Sequence, residues 1–164
     1  MTTVVLRPGS EADRAALRTL IAGLTPPSSY SRFQAALGPE PPAHVVDAML
    51  PCGVRGGSVL AWDGGDLVGH GEWVRFGPSP IAEIALLVAD SHQGRGLGTA
   101  LAQQVIAVAG ARGIERIEMF TAAGNTAIAR MVAHLGSDIE KRRDGSAVTY
   151  SFALRRDAGA GAAA

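Results

Sequence analysis

The sequence predicts a single mixed α/β (α+β) domain built on a central, mostly antiparallel sheet of about seven strands flanked by helices. Three observations lead to this fold class. The 164 residues fit one domain, since domains commonly contain about 100–200 residues. Apolar residues recur with the periods of strands and helices along most of the chain. Their order is a strand, two or three helices, three strands, a helix, a strand, a helix and two strands, which is not the regular alternation of a Rossmann domain.

The first third of the chain predicts one strand and several short helices. Residues 4–7 form a β-like run, and Ser10 can cap the helix that follows, with Asp13 in the place of the usual Glu. Further helices are predicted over residues 30–37 and 43–50, because prolines interrupt the pattern around them.

The remainder alternates between strand-like and helix-like patterns. Strands are predicted over residues 58–62, 67–76, 81–89, 115–120, 138–142 and 148–154, and helices over residues 97–112 and 125–135. Gly113 is placed to end the first of these helices in a left-handed conformation. We therefore expect a domain over residues 1–154 and a disordered Ala- and Gly-rich tail over residues 155–164.

The composition excludes several classes of function. Fifteen Lys and Arg balance fifteen Asp and Glu, whereas proteins that bind nucleic acid or membrane surfaces normally carry a basic excess. There is no apolar run of about 18 residues and no signal-peptide pattern, so a cytoplasmic location is expected. The single cysteine, Cys52, excludes an internal disulfide and a Cys-based zinc site, and the four scattered histidines have no metal-ligand spacing.

A glycine-rich turn carries the chemistry that the sequence suggests. Residues 88–99 join an apolar strand to an amphipathic helix through Gly94, Gly96 and Gly98. The start of a helix exposes backbone N–H groups without internal partners, and the helix dipole adds a partial positive charge there. Glycines let an anion approach these groups closely, and Arg95 can add a charged hydrogen bond. The turn therefore predicts a phosphate or pyrophosphate site, the alternative being a turn that only packs the strand against the helix.

Two common phosphate loops do not fit this turn. A Walker A loop ends in Gly-Lys-Ser/Thr, and this turn contains no lysine. The dinucleotide fingerprint requires a third glycine where this chain has Thr99 in one register and Leu101 in the other.

The turn instead fits the pattern Gln/Arg-x-x-Gly-x-Gly/Ala, at Gln93, Gly96 and Gly98. This pattern and the order of elements resemble the Gcn5-related N-acetyltransferase (GNAT) family, in which this loop binds the pyrophosphate of coenzyme A. The resemblance implies acetyl-CoA as co-substrate and, commonly in the family, a V-shaped acyl-CoA cleft opened by a bulge in the preceding strand. It implies these contacts for the pantetheine and pyrophosphate groups: Leu86, Leu87, Val88, Gln93, Gly94, Arg95, Gly96, Leu97, Gly98, Thr99 and Asn125. For Asn125, capping of a helix is the alternative role.

Glu83 is the predicted general base. Acyl transfer needs a neutral amine, and reaching that form from a lysine-like pKa near 10.4 at pH 7 costs about 4.6 kcal/mol. Glu83 lies within an otherwise apolar strand and precedes the loop by the interval at which many family members place a catalytic Glu. We expect it to be partly buried and to draw the proton through a water molecule. The alternative is a solvated Glu at the edge of the strand.

The other groups around the reaction are less specific. A backbone N–H of Leu86 or Val88 would meet the developing oxyanion. The family often has a Tyr acid where this chain has Val132, so protonation of the leaving thiolate by solvent is expected. Glu72 and Trp73 are candidates for the mouth of the acceptor cleft, and His70 is a weaker one.

The segment at residues 24–33 resembles a Ser-Pro-Glu-Ser-x-Tyr-x-Arg-Phe segment of bacterial protein-lysine acetyltransferases. That branch acts on protein lysines, commonly on acyl-CoA synthetases. Two other functions stay open: acetylation of a small amine such as an antibiotic, polyamine or amino acid, and non-catalytic sensing of acyl-CoA. Dimers are frequent in the family, so a homodimer is a further expectation, whereas nucleic-acid and membrane partners are not expected.

Overall fold

The computed structural model describes residues 3–136 and 138–154, so the tail predicted over residues 155–164 lies outside the described residues. Within them the chain forms seven strands and five helices, together with three short 3₁₀ turns. In chain order these are β1 (Val4–Pro8), α1 (Arg14–Ala22), α2 (Pro26–Phe33), α3 (Ala43–Ala48), β2 (Gly56–Asp63), β3 (Asp66–Arg75), β4 (Ile81–Val88), α4 (Leu97–Ala111), β5 (Arg116–Ala122), α5 (Thr126–Leu135), β6 (Glu140–Asp144) and β7 (Ala147–Ala153).

The local signals at the predicted helix ends are confirmed. The Asp13 carboxylate accepts hydrogen bonds from the backbone N–H and the hydroxyl of Ser10 at 2.9 and 3.1 Å, which completes a capping box before α1. Gly113, just after α4, has a φ of 83° and so adopts the left-handed conformation.

The second helix lies earlier in the chain than its prediction. α2 begins at Pro26, not at residue 30, and ends before Gln34, which has a φ of 57°. The two prolines do not stop a helix here, because they occupy its first turn, where a backbone N–H has no intrahelical partner. Thr25 has the extended conformation typical of the residue before a helix.

The seven strands form one sheet in the order β1-β2-β3-β4-β5-β7-β6. All neighbouring pairs are antiparallel except β4 and β5, which are parallel. The predicted fold class is thus confirmed: a seven-stranded mixed sheet flanked by helices.

Each face of the sheet has its own hydrophobic core. On one face, α1 and α3 pack on β2–β4 around residues such as Leu17, Val46 and Leu60. On the other face, α4 and α5 pack around residues that include Leu101 and Val132. Strand β4 therefore lies between two helical layers, which explains its nearly continuous apolar sequence.

Two glycines in β3 let α4 approach the sheet closely. A Cβ on Gly71 would lie 2.6 Å from Val105 of α4, and one on Gly69 would lie 2.8 Å from Leu101. We expect Gly71→Ala to lower the free energy of unfolding by about 1–3 kcal/mol, because α4 or its side chains must shift. Urea denaturation measures this. Gly65→Ala is the matched control, since a Cβ there meets no atom within 4 Å, and an equal loss in both variants would contradict the packing argument.

Candidate active site

The centre of the sheet opens where β4 and β5 part. They pair only from Ile81 to Glu83, alongside residues 116–118, although both strands continue beyond that point. The register of β4 with β3 is uninterrupted over residues 82–88, so the cleft forms without a bulge at these positions of β4. A cavity of about 590 Å³ lies in this opening, at the place where the family resemblance implies the acyl-CoA cleft.

One edge of β4 presents its backbone to the cavity. Two backbone hydrogen bonds at the ends of the β3–β4 ladder indicate which residues of β4 bond to β3. They run from the Phe76 N–H to the Ile81 carbonyl and from the Ala89 N–H to the Val68 carbonyl. By the alternation of an antiparallel pair, the backbone polar groups of Leu86 and Val88 point away from β3 into the opening. The Gln93 amide occupies part of this edge, donating to the Val88 carbonyl at 3.0 Å.

The N-terminus of α4 lies at the wide end of the cavity. Gly94 and Gly96 have φ values of 72° and 82°, and a Cβ at either would meet no atom within 4 Å. The first N–H groups of this 15-residue helix therefore face open space lined by glycine, and this arrangement fits a pyrophosphate group.

Most of the predicted cofactor contacts line this one cavity, and two do not. Those that line it are Leu86, Leu87, Val88, Gln93, Gly94, Gly96, Gly98, Thr99 and Asn125. Arg95 is exposed at the loop outside the cavity lining, and Leu97 is partly buried against the core under α4.

Asn125 caps a helix, which was the alternative to its contact with the cofactor. Its side-chain oxygen accepts from the Ile128 N–H at 3.2 Å, capping α5, and its amide donates to the Thr121 hydroxyl at 3.1 Å. Because it also lines the cavity, capping and cofactor contact are compatible.

Glu83 lies at the fork itself, as the last β4 residue paired with β5, and it lines the cavity. Its side chain is exposed, so the expected partial burial is wrong. The reason is its position, since the helices on this face cover the neighbouring part of the sheet while the fork stays open. Glu118 of β5 is its register partner.

Helix α2 forms a wall of the cavity. Its N-terminus is anchored to Asp90, whose carboxylate accepts from the Thr25 N–H at 3.1 Å, the Thr25 hydroxyl at 2.9 Å and the Ser28 hydroxyl at 2.6 Å. These hydrogen bonds hold the pKa of Asp90 below its usual value although burial opposes the shift. The start of α2 is thus fixed to Asp90, which leads into the glycine-rich turn.

At its other end, α2 joins a buried polar cluster next to Glu83. Arg32 donates through Nη2 to Oε1 of Glu72 at 2.5 Å. Burial raises the pKa of the Glu72 carboxyl, while the Arg32 guanidinium opposes that shift. Trp73, the other residue expected at the acceptor mouth, is only 1% exposed and lies in the core, because successive side chains of a strand point to opposite faces.

His70 lies beneath this cluster and is fully buried. Its Nε2 is 2.6 Å from the Met49 carbonyl oxygen. Burial lowers the pKa of His70 to about 4, with the Arg32 charge acting in the same direction and the Met49 bond against it. His70 is therefore neutral at pH 7, with Nε2 donating to Met49.

The low pKa of His70 predicts acid sensitivity of the fold. Between pH 6.5 and 4 the unfolded chain takes up a proton that the folded one resists, so stability falls as the pH falls. We expect the loss from this group to be about 2 kcal/mol between pH 7 and pH 5. Urea denaturation at several pH values should show a shallower pH dependence for His70→Gln. The exposed His134→Gln is the matched control, and identical profiles for His70→Gln and wild type would contradict the assignment.

His92 and Cys52 lie outside the lining of this cavity. His92 contacts Asp63 at 3.0 Å and Cys52 is exposed. Over residues 3–136 and 138–154, no group of His, Cys, Asp or Glu is arranged to hold a metal ion. No helix in the same ranges is long and apolar enough to cross a membrane.

Comparison with known proteins agrees with this geometry. The GNAT domain of S. lividans PAT superposes with a TM-score of 0.82 at 28% identity, covering 91% of this chain and 89% of that chain. The structure of yncA from Salmonella typhimurium, with its cofactor acetyl-CoA, gives a TM-score of 0.69 at 16% identity and covers 99% of this chain and all of the other. The cAMP-binding acyltransferase from Mycobacterium smegmatis gives 0.63 at 21% identity, covering 95% of this chain but 48% of that one.

A search of curated proteins finds no match to the chain. The model of the acetyltransferase (GNAT) family matches residues 28–136, which include α2 from its third residue onward, the fork and the glycine-rich turn. Members of this family use acetyl-CoA as co-substrate, and the cavity along β4 and α4 fits that molecule. The chain therefore belongs to the acetyltransferase (GNAT) family.

Proposed function

We propose that this protein transfers an acetyl group from acetyl-CoA to the side-chain amine of a protein lysine, with Glu83 as the general base acting through water. The observation that carries the proposal is the position of Glu83. It lies at the fork of β4 and β5, in the same cavity as the glycine-rich N-terminus of α4. A carboxylate and a pyrophosphate site thus share one opening.

Different residues along this opening bind different parts of acetyl-CoA. When bound, acetyl-CoA supplies the thioester whose acetyl group is transferred. The amides at the start of α4 hold the pyrophosphate, and the free edge of β4 holds the pantetheine arm through Leu86 and Val88. A backbone N–H of either residue stabilises negative charge on the carbonyl oxygen.

The proton of the acceptor ammonium passes to Glu83 through water. Because Glu83 is exposed, its charge attracts the ammonium without a large desolvation cost, and a water molecule can reach it. Val132, at the position of the family's Tyr acid, is buried and apolar, so the departing thiolate takes its proton from solvent.

Two features support a protein as the acceptor. The face of β5 that continues from Glu83 is open, with Phe120 60% exposed, and every residue of the edge strand β6, which lies beyond β7, is exposed. The two carboxylates at the fork, Glu83 and Glu118, would attract the ammonium of a lysine or of a cationic small molecule alike. The segment at residues 24–33, which resembles that of protein-lysine acetyltransferases, forms the α2 wall of the same opening.

An acceptor screen tests this proposal. Release of free thiol from acetyl-CoA would be followed with a folded acyl-CoA synthetase, lysine peptides, polyamines, aminoglycosides and free amino acids. We expect the protein acceptor to have the highest kcat/KM, and mass spectrometry of the product to locate the acetyl group on lysine.

Two results would overturn the proposal in different ways. A higher kcat/KM for a small amine would assign the protein as a small-molecule N-acetyltransferase. Binding of acetyl-CoA without turnover of any amine would favour an acyl-CoA sensor.

A further inference from the structure

Arg32 is the single cationic residue among the described residues that line the cavity. It is the second-last residue of α2, and it shares the cavity lining with Glu83. An uncompensated positive charge in this place would work against both of the roles proposed for Glu83: it would repel a cationic acceptor, and it would make the Glu83 carboxylate a weaker base.

Glu72 supplies the compensating charge from below the cavity. Its side chain is 10% exposed and does not line the cavity, and its Oε1 accepts from Arg32 at 2.5 Å. Its second oxygen, Oε2, is buried and has no hydrogen-bond partner among the described residues. Arg32 Nε is likewise buried and has no hydrogen-bond partner, so the guanidinium is held by the 2.5 Å bond to Glu72 and by its contact with the Phe33 ring, whose centroid is 5.1 Å away.

Glu72 and Glu83 also lie close enough to influence each other. They are on the same face of adjacent antiparallel strands, with Glu72 opposite Ala85 and Glu83 opposite Val74. Such diagonal neighbours are about 7–8 Å apart. In agreement, the Glu83 charge adds to the effect of burial in raising the pKa of Glu72.

The other charged groups around this face are few and mostly paired. On β3, buried His70 is neutral at pH 7. On β5, Glu118 accompanies Glu83, while Arg116 is paired with Glu140 of β6 at 2.8 Å.

The two other helices on this face carry one ion pair and two exposed residues, Arg18 of α1 and His44 of α3. Arg14 of α1 is paired with Asp47 of α3 at 2.6 Å. The net charge at the fork therefore depends on Arg32 and Glu72 together with Glu83 and Glu118.

We propose that Glu72 is a positioning residue that holds Arg32 against the wall of the cavity and cancels its charge, so that Glu83 can attract a cationic acceptor and take its proton. This inference rests on the role of Glu83 proposed above. It assigns a function to a buried carboxylate that touches neither substrate.

Of the two single variants, only Glu72→Gln should move the acidic limb of the pH profile downward. Glu72→Gln leaves the Arg32 charge uncompensated next to Glu83, so the acidic limb of the kcat/KM profile should move down by about one pH unit. The KM for a lysine acceptor should rise about fivefold, equivalent to about 1 kcal/mol, while the KM for acetyl-CoA stays unchanged.

Arg32→Met should not move the limb downward. Without its counter-ion, buried Glu72 has a pKa that burial raises further, so it ionises less readily, and where it ionises it adds negative charge near Glu83. The limb should therefore stay in place or move up. The double variant Arg32→Met/Glu72→Gln removes both charges and should return the limb and the acceptor KM toward wild type.

Exposed residues outside the cavity lining provide matched controls, namely Glu11→Gln and Arg18→Met, and both should retain the wild-type profile. Arg32→Lys keeps the charge and should also retain the limb. If Glu72→Gln fails to fold, as thermal unfolding would show, the positions of the acidic limb in Arg32→Met and Arg32→Lys still test the inference. A downward shift in Arg32→Met, or equal losses in both single variants, would reduce the pair to a structural contact and overturn the inference.

Failure of this inference is distinguishable from failure of the proposed function. If Glu83→Gln turns over like wild type, the role of Glu83 is wrong and the limb belongs to another group. If Glu83→Gln is inactive while Glu72→Gln has the wild-type profile, the role of Glu83 stands and only the role of Glu72 is overturned.

Discussion

Glu83→Gln is expected to lower kcat by about 10²- to 10⁴-fold and to leave the affinity for acetyl-CoA unchanged. The amide has almost the same shape as the carboxylate but cannot accept the proton of the acceptor ammonium. It also removes one of the two negative charges at the fork of β4 and β5, so the KM for a cationic acceptor should rise as well. Steady-state thiol release gives kcat and KM, and calorimetry gives the dissociation constant of acetyl-CoA.

Glu40→Gln is the matched control for this substitution, because Glu40 is exposed on the loop before α3, outside the cavity lining. It should behave like wild type in every measurement. A Glu83→Gln enzyme that retains wild-type kcat would show that another base, or water alone, removes the proton. Equal loss of turnover and of acetyl-CoA binding would instead indicate a damaged cleft.

The order of strands and helices could be predicted because it depends on local sequence patterns. The apolar run at residues 81–89, the capping pair Ser10 and Asp13, and Gly113 after α4 each report on a few neighbouring residues. The glycine-rich turn is equally local, since its glycines and the helix that follows lie in one continuous segment. The positions of β4, the turn and α4 therefore agree with prediction to within about two residues.

The parts that could not be predicted depend on contacts between distant segments. The register that ends the pairing of β4 with β5 at Glu83 joins residues more than thirty positions apart. The Arg32–Glu72 pair spans forty positions, and nothing in either local pattern specifies the partner. The exposure of Glu83 also depends on distant contacts. An apolar strand predicts that Glu83 is buried, but the parting of β4 and β5 leaves it exposed.

A second large effect is expected from Gly96→Val, which should weaken the binding of acetyl-CoA at least tenfold. Gly96 precedes the first turn of α4 with a φ of 82°, a conformation that a β-branched residue adopts only at a cost of about 1–3 kcal/mol. An added side chain would meet no protein atom within 4 Å, and it would project from a residue that lines the cavity. It would therefore occupy the approach of a phosphate and turn the helix amides away from it. Calorimetry with acetyl-CoA measures the loss.

Gly113→Val separates the effect of backbone strain from the effect of a side chain that blocks the phosphate. Gly113 follows the opposite end of α4 with a φ of 83° and equally open surroundings, so the same substitution imposes the same backbone strain away from the cavity. Both variants should lose similar stability, as thermal unfolding would show, but only Gly96→Val should lose affinity for acetyl-CoA. Equal affinities would mean that the turn does not hold the pyrophosphate. Equal losses of affinity would mean that strain anywhere in α4 disturbs the cleft, because this helix also packs on β3 through Gly69 and Gly71.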